Sequence, residues 1–253
     1  MKYKKQGHLL QLGTNTKLNK SGDDWLVAGL SLAPSDIAGK GYRVCTHENV
    51  AGCKPTCLFF AGRGAMKSVQ QARIKRTKLL FDDPVLFMHL LDIDINTMIK
   101  YADKKKKQLA IRLNVLSDWP WENYIYMERY PTQFYDYTKN RHRLGNQPSN
   151  YHLTLSVFPH NHLFNRYLSA AKKTRTNIAA VFMNDIPDTF EGFPTISGDD
   201  NDLRFLDPYP SCVALKAKGP LRHNNKLNFA TWPSSTYKEK TYGIEIISSN
   251  DEV

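Results

Sequence analysis

The 253-residue chain predicts an α/β fold: a partial or complete β/α barrel of mostly parallel strands, in a single domain. Three observations predict it. Short apolar runs alternate with longer helical stretches, which is the pattern of βαβ units. Nearly every apolar run ends in polar, chemically capable residues, and in parallel α/β folds ligands bind outside the carboxyl ends of the strands. No linker and no internal repeat divides the chain, whose length suits one large domain.

Taken in order, residues 1–24 read as an N-terminal extension, 25–232 as the β/α core, and 233–253 as a C-terminal tail. Strands are predicted at Trp25–Leu32 (WLVAGLSL), Leu109–Asn114 (LAIRLN), Phe134–Tyr137 (FYDY), Tyr151–Ser156 (YHLTLS), Ile178–Met183 (IAAVFM) and Ser211–Leu215 (SCVAL). Helices are predicted at Pro55–Leu80, Pro84–Asp103, Pro120–Tyr130 and Leu163–Lys173. Pro55 and the pair Asp83-Pro84 are start signals, because proline is tolerated in a first helical turn. Val85, Met88, Leu91, Ile95 and Met98 recur at helical spacing and read as core.

Apolar residues make up 41% and charged residues 23%, which excludes disordered, collagen-like and disulfide-scaffold proteins. No apolar run approaches the roughly 20 residues of a membrane span. The basic start, MKYKKQGHLLQLG, carries too short an apolar stretch for a signal peptide. These features predict a cytoplasmic protein in a reducing compartment, with no membrane partner.

Lys and Arg number 35 against 24 Asp and Glu, a net charge of +11. The excess is clustered: residues 63–78 carry +6, 100–112 carry +5 and 139–143 carry +3, leaving −3 elsewhere. Clustered cations attract polyanions, since neutralised phosphates release counterions. The expected partner is therefore nucleic acid, DNA ahead of RNA. Arg63, Lys67, Arg73, Lys75 and Arg76 are the phosphate-binding candidates, joined by Lys216 and Lys218 after the last core strand. The run Lys104–Lys107 reads as a solvated turn after a helix.

Three of the four cysteines, Cys45, Cys53 and Cys57, fall within VCTHENVAGCKPTCLFFAGRG. In a reducing compartment such a cluster points to metal rather than to disulfides. A helix entered at Pro55 would place Cys53 and Cys57 on one face of its N-terminus, where the dipole favours thiolate. Three thiolates suit a four-iron cluster with one iron free, or zinc completed by a fourth ligand, for which His47 is the nearest candidate. Cys212, in the apolar run SCVAL, reads as core. The strand-end residues Asp118, Asp136 and Lys139 are the catalytic candidates. Trp119, Trp121 and Tyr137 are candidates for stacking a base taken out of its duplex.

The segments CTHENVAGCKPTCLFFAGRG, RLNVLSDWPWE, FYDYTK, NYHLTLS, ISGDDNDLRFLDP and ALKAKG occur in this order. Together, from about Leu30 to Lys218, they resemble the phage and plasmid family called gene product eighty-eight. The resemblance implies a phage-encoded protein working in the host cytoplasm. The cysteine loop after the first strand is also similar to that of radical-SAM-like phage proteins. That similarity implies that Cys45, Cys53 and Cys57 hold a four-iron (4Fe-4S) cluster on a partial or complete barrel, with S-adenosylmethionine as a cofactor. The C-x3-C-x2-C spacing of that superfamily is absent, and no glycine-rich S-adenosylmethionine segment follows the second strand, so the cluster is better supported than the cofactor.

The leading functional expectation is an enzyme that modifies a nucleic-acid base on a metal-containing scaffold, by radical-SAM-like or transglycosylase-like chemistry. One alternative is a non-enzymatic nucleic-acid-binding protein with a structural metal. Another is a phage protein that binds a host partner.

Overall fold

A computed structural model describes residues 8–13, 23–158, 162–222 and 230. The predicted tail at 233–253 and residues 1–7 and 14–22 of the predicted extension lie outside the described residues. One nine-stranded mixed sheet organises the rest, in the order β1-β2-β3-β4-β5-β6-β9-β8-β7. Six core strands match the sequence prediction within a few residues. They are β2 (Trp25–Leu30), β3 (Gln108–Arg112), β4 (Gln133–Thr138), β5 (Tyr151–Ser156), β6 (Ile178–Phe182) and β9 (Cys212–Lys216). These six run parallel in chain order, as in a barrel wall. The sheet does not close on itself, so a complete barrel is not formed.

Three strands escape the sequence pattern. β1 (Leu10–Leu12) lies antiparallel to β2, within the segment read as an extension. β8 (Phe193–Ser197) runs parallel to β9, and the two-residue β7 (Thr189–Phe190) pairs antiparallel with β8. β1 is held by Asp94, whose carboxylate accepts from the backbone N–H groups of Leu9 at 2.5 Å and Leu10 at 3.0 Å.

Helices cover one face of the sheet. α1 (Glu48–Ala51), α2 (Lys67–Asp82) and α3 (Pro84–Lys105) lie between β2 and β3, and α4 (Phe164–Lys173) joins β5 to β6. α3 starts as predicted: Asp83 caps it by accepting from Leu86 N at 2.9 Å, with Pro84 in the first turn. It ends at Lys106 in the left-handed conformation, so the lysine run is an exposed helix end, where its charge suits the dipole. Phe87, Leu91 and Ile95 of α3 pack with Ile111, Leu113, Phe134, Leu153 and Phe182 from alternate strand positions. The opposite face is covered in part by residues 203–205, where Leu203 and Phe205 pack on Val27, Ala110 and Tyr135. Among the described residues, no helix is long and apolar enough to cross a membrane.

One predicted helix starts late and another is replaced by turns. Over residues 55–65 the chain makes single 3-10 turns at Lys54–Thr56, Leu58–Phe60 and Gly62–Ala65, and the α-helix begins only at Lys67. Cys57, Ala61 and Met66 are extended, and Gly62 sits at φ 51°, so no continuous helix can thread them. Gly64 has no room for a side chain: a Cβ there would lie 2.8 Å from the Leu58 carbonyl oxygen. Over 120–130, turns at Trp121–Asn123 and Met127–Arg129 bury Trp121 and Met127 against the core, and Trp121 stacks on Phe87 at 6.0 Å.

The N-terminal strand thus depends on one carboxylate. Asp94→Ala removes the acceptor for two buried N–H groups, so a loss of about 1–3 kcal/mol is expected in urea unfolding, with faster proteolysis before residue 13.

Candidate functional site

A cavity of about 280 Å³ lies at the carboxyl ends of the parallel strands. β3 ends in Arg112 and leads to Asn114, β4 brings Tyr137 and leads to Lys139, β5 ends in Ser156, and β9 ends in Lys216. The cysteine loop forms the facing wall with Cys45, Cys53, Cys57, Leu58 and Phe60. Cys45 is placed there by an isolated parallel bridge to Asp118, reinforced by Asp118 N donating to the Val44 carbonyl at 2.9 Å. The turn Gly219–Arg222 closes one side, tight against Ala61. Of the strand-end residues, Asp118, Lys139, Lys216 and Lys218 thus share one cavity with the cysteine loop.

The three carboxylate and lysine candidates differ in what they can do. Asp118 lines the cavity, but both oxygens are engaged. Oδ1 accepts from Arg143 Nη1 at 2.7 Å and Thr138 Oγ1 at 2.8 Å, and Oδ2 accepts from Lys139 N at 2.7 Å. Asp136 does not line the cavity; it lies fully buried beside it. It accepts from Asn114 N at 2.7 Å, Asn114 Nδ2 at 3.3 Å and Tyr151 Oη at 2.9 Å. Lys139 does reach the cavity, where its Nζ donates to Ser156 Oγ at 3.1 Å.

Arg143 joins these groups. Its guanidinium clasps Glu122 through Nε at 2.7 Å and Nη2 at 2.8 Å, meets Asp118 through Nη1, and donates to Tyr151 Oη at 2.9 Å. Tyr151 Oη in turn donates to Asp136 Oδ2 at 2.9 Å. Asn114 extends the network, its Oδ1 accepting from Ser117 Oγ, Trp119 N and Trp121 Nε1. Burial pushes the Asp136 carboxyl up to about 7, against the pull of the Arg112 charge and the bonds from Asn114 and Tyr151.

The thiols differ from expectation. Cys53 precedes and Cys57 follows a single 3-10 turn, so no helix dipole stabilises them. Burial pushes the Cys45 thiol up to about 12 and raises that of Cys57. All three thiols line the cavity. Among the described residues, no three His, Cys, Asp or Glu side chains converge closely enough to hold one ion. A single zinc ion needs such convergence, with His47 or another donor completing a tetrahedron. In an iron–sulfur cluster each thiolate takes a separate iron, so its ligands need not meet at one point. A metal's own charge deprotonates a coordinating thiol outright, which offsets the raised values. His47 lines the cavity, bonded at 2.9 Å to Thr46 Oγ1, and burial lowers its pKa. Cys212 is buried in the core, as expected.

The cation candidates separate into three groups. Arg63, Lys67 and Lys75 are exposed. Arg73 and Arg76 turn inward on α2: Arg73 lies over the Phe59 ring at 5.7 Å, and Arg76 donates to the Ser31 carbonyl at 3.5 Å. Both are half-buried. Lys216 and Lys218 line the cavity, with Lys218 paired to Asp199. Of the stacking candidates, Tyr137 lines the cavity. Trp119 instead packs between Phe81 and Tyr124, and Trp121 is wholly buried.

Arg112, Arg143 and Ser156 are site residues that the sequence reading left unassigned. Arg112 is buried, paired with Asp202 at 3.1 Å, and stacked on Tyr137 at 4.8 Å. A charge inside the apolar run LAIRL was the available signal, since a buried cation must be paired.

Residues 4–231 match the family described as Gene product 88, and the chain belongs to that family. No curated protein matches the chain. No solved structure matches it. The similarity to radical-SAM-like proteins is thus not among the comparison findings.

Two outcomes test the network. Arg143→Met removes the buried cation shared by two carboxylates exposed by only 11% and 12%, and a loss of about 3 kcal/mol is expected in denaturant unfolding. Asp136 has a raised folded pKa, so its contribution to stability is full below its unfolded value of about 4 and is lost as pH rises through about 7. Melting temperatures from pH 5 to 8 should therefore fall more steeply for the wild type than for Asp136→Asn; parallel curves would contradict this.

Proposed function

We propose that this Gene product 88 protein is a phage-type, metal-containing protein that acts on nucleic acid, with modification of a base as its chemistry. One observation carries the reading: three thiols, Lys139 and a cation-rich wall share a single cavity at the carboxyl ends of a parallel sheet. Its six core strands follow the order of a partial β/α barrel, which supports the same reading. Cys45, Cys53 and Cys57 would hold an iron–sulfur cluster, which supplies one-electron chemistry when bound.

The chain's own groups divide the remaining work. Lys139 holds a proton at Nζ inside the cavity and presents it toward a bound substrate. Asp118 is a positioning residue, fixing the Lys139 backbone. Asp136 supports Asn114 from beneath the cavity wall and is likewise a positioning residue. Tyr137 offers a ring for stacking. Arg63, Lys67 and Lys75 offer an exposed cationic strip for phosphates outside the cavity.

Protein purified without oxygen tests the metal. The expected preparation is brown, with iron and acid-labile sulfide in equal amounts, and loses both in Cys45→Ser, Cys53→Ser or Cys57→Ser variants. If S-adenosylmethionine is a co-substrate, adding it perturbs the visible spectrum. Colourless protein with stoichiometric zinc would favour the structural-metal alternative, and metal-free protein would overturn the metal reading. Nucleic-acid binding has a separate readout. Affinity for an oligonucleotide should fall steeply with salt, and Lys67→Glu with Lys75→Glu should lower the log–log salt slope by about 1 per lost phosphate contact.

A further inference from the structure

Two walls of the cavity have opposite character. One carries Arg112, Lys139 and Lys216 at the ends of three strands or just beyond them; the other carries Leu58 and Phe60, exposed by 42% and 48%. The carboxylates on the cavity wall have cationic partners: Asp118 meets Arg143, which it shares with Glu122, and Glu48 meets Arg43 at 3.1 Å. The cavity therefore sets Lys139 and Lys216 opposite an apolar shelf.

Two buried polar atoms in this wall are unspent. Arg112 is buried and paired through Nη1 to Asp202, yet its Nε has no hydrogen-bond partner. The hydroxyl of Tyr137, whose ring lies under that guanidinium, has none either. Buried donors are normally satisfied, and each such exception calls for an explanation. Here both belong to residues that line the cavity.

We infer that the cavity seats one nucleoside-phosphate unit, with its anionic group against Lys139, Ser156 and Lys216 and its base against Phe60 and Tyr137. This deepens the nucleic-acid reading and rests on it, naming the unit that enters the cavity. Lys139 and Ser156 already form one hydrogen-bonded pair, a donor couple of the kind that holds a phosphate oxygen. A cavity of about 280 Å³ is too small for a duplex.

The test titrates the full chain with deoxynucleoside 5′-monophosphates, the matching nucleosides and inorganic phosphate, by calorimetry. A monophosphate should bind about tenfold or more tighter than its nucleoside or than phosphate alone. Lys139→Met and Lys216→Met should each erase most of that difference while leaving nucleoside affinity unchanged. Phe60→Ala should weaken nucleoside and monophosphate alike. Equal affinity for nucleoside and monophosphate would overturn the inference, as would no binding of either. If mononucleotides fail while salt-dependent oligonucleotide binding persists, the inference falls and the nucleic-acid reading stands. If mononucleotides bind and oligonucleotides do not, the seat stands and the polymer reading falls.

Discussion

The site depends on a buried chain of hydrogen bonds that runs from Glu122 through Arg143 and Tyr151 to Asp136 and Asn114. Each charged member lies inside the protein, where an unpaired charge costs several kcal/mol. None can leave without stranding another. This interdependence fixes the two loops that follow β3 and β4, and those loops supply Asn114, Asp118 and Lys139. The cysteine loop is then tied to the same frame through the Cys45–Asp118 bridge. Thiols and lysine share one wall system because one ion-pair network holds both sides of it.

Backbone patterning made the sheet legible. The strands from Trp25, Leu109, Tyr151, Ile178 and Ser211 are apolar runs bounded by polar ends, and they form where that pattern places them. The helix from Pro84 carries a cap, a proline and an apolar stripe, all agreeing. Where local signals disagreed, the reading failed. Pro55 signals a helix start, yet Gly62 and Gly64 follow within ten residues, and the close packing of Gly64 on the Leu58 carbonyl outweighs the proline. β1 is only three residues long, and its anchor, Asp94, lies more than eighty residues away in sequence. No local pattern can report such a partner.

Charge was the least legible property. Arg73, Arg76 and Arg143 count as surface cations in any sequence sum, yet Arg143 is buried and the other two face inward. Whether an arginine faces solvent or a carboxylate is decided by residues distant in the chain, here Glu122 and Asp118. Asp118 and Asp136 were recognisable as strand-end carboxylates, but their saturation by donors was not. The cavity-lining lysines were legible because strand ends in a parallel sheet must gather on one side.

The sheet ends on two very short antiparallel strands, β1 with three residues and β7 with two. A long parallel edge left bare would offer a row of unpaired amides to any other copy of the chain. Strands this brief end the ladder before it can serve as a template, which is a recognised way of blunting self-association. For a protein built on a half-open wall rather than a closed ring, these brief margins guard against fibre-like growth while leaving the mouth of the wall accessible.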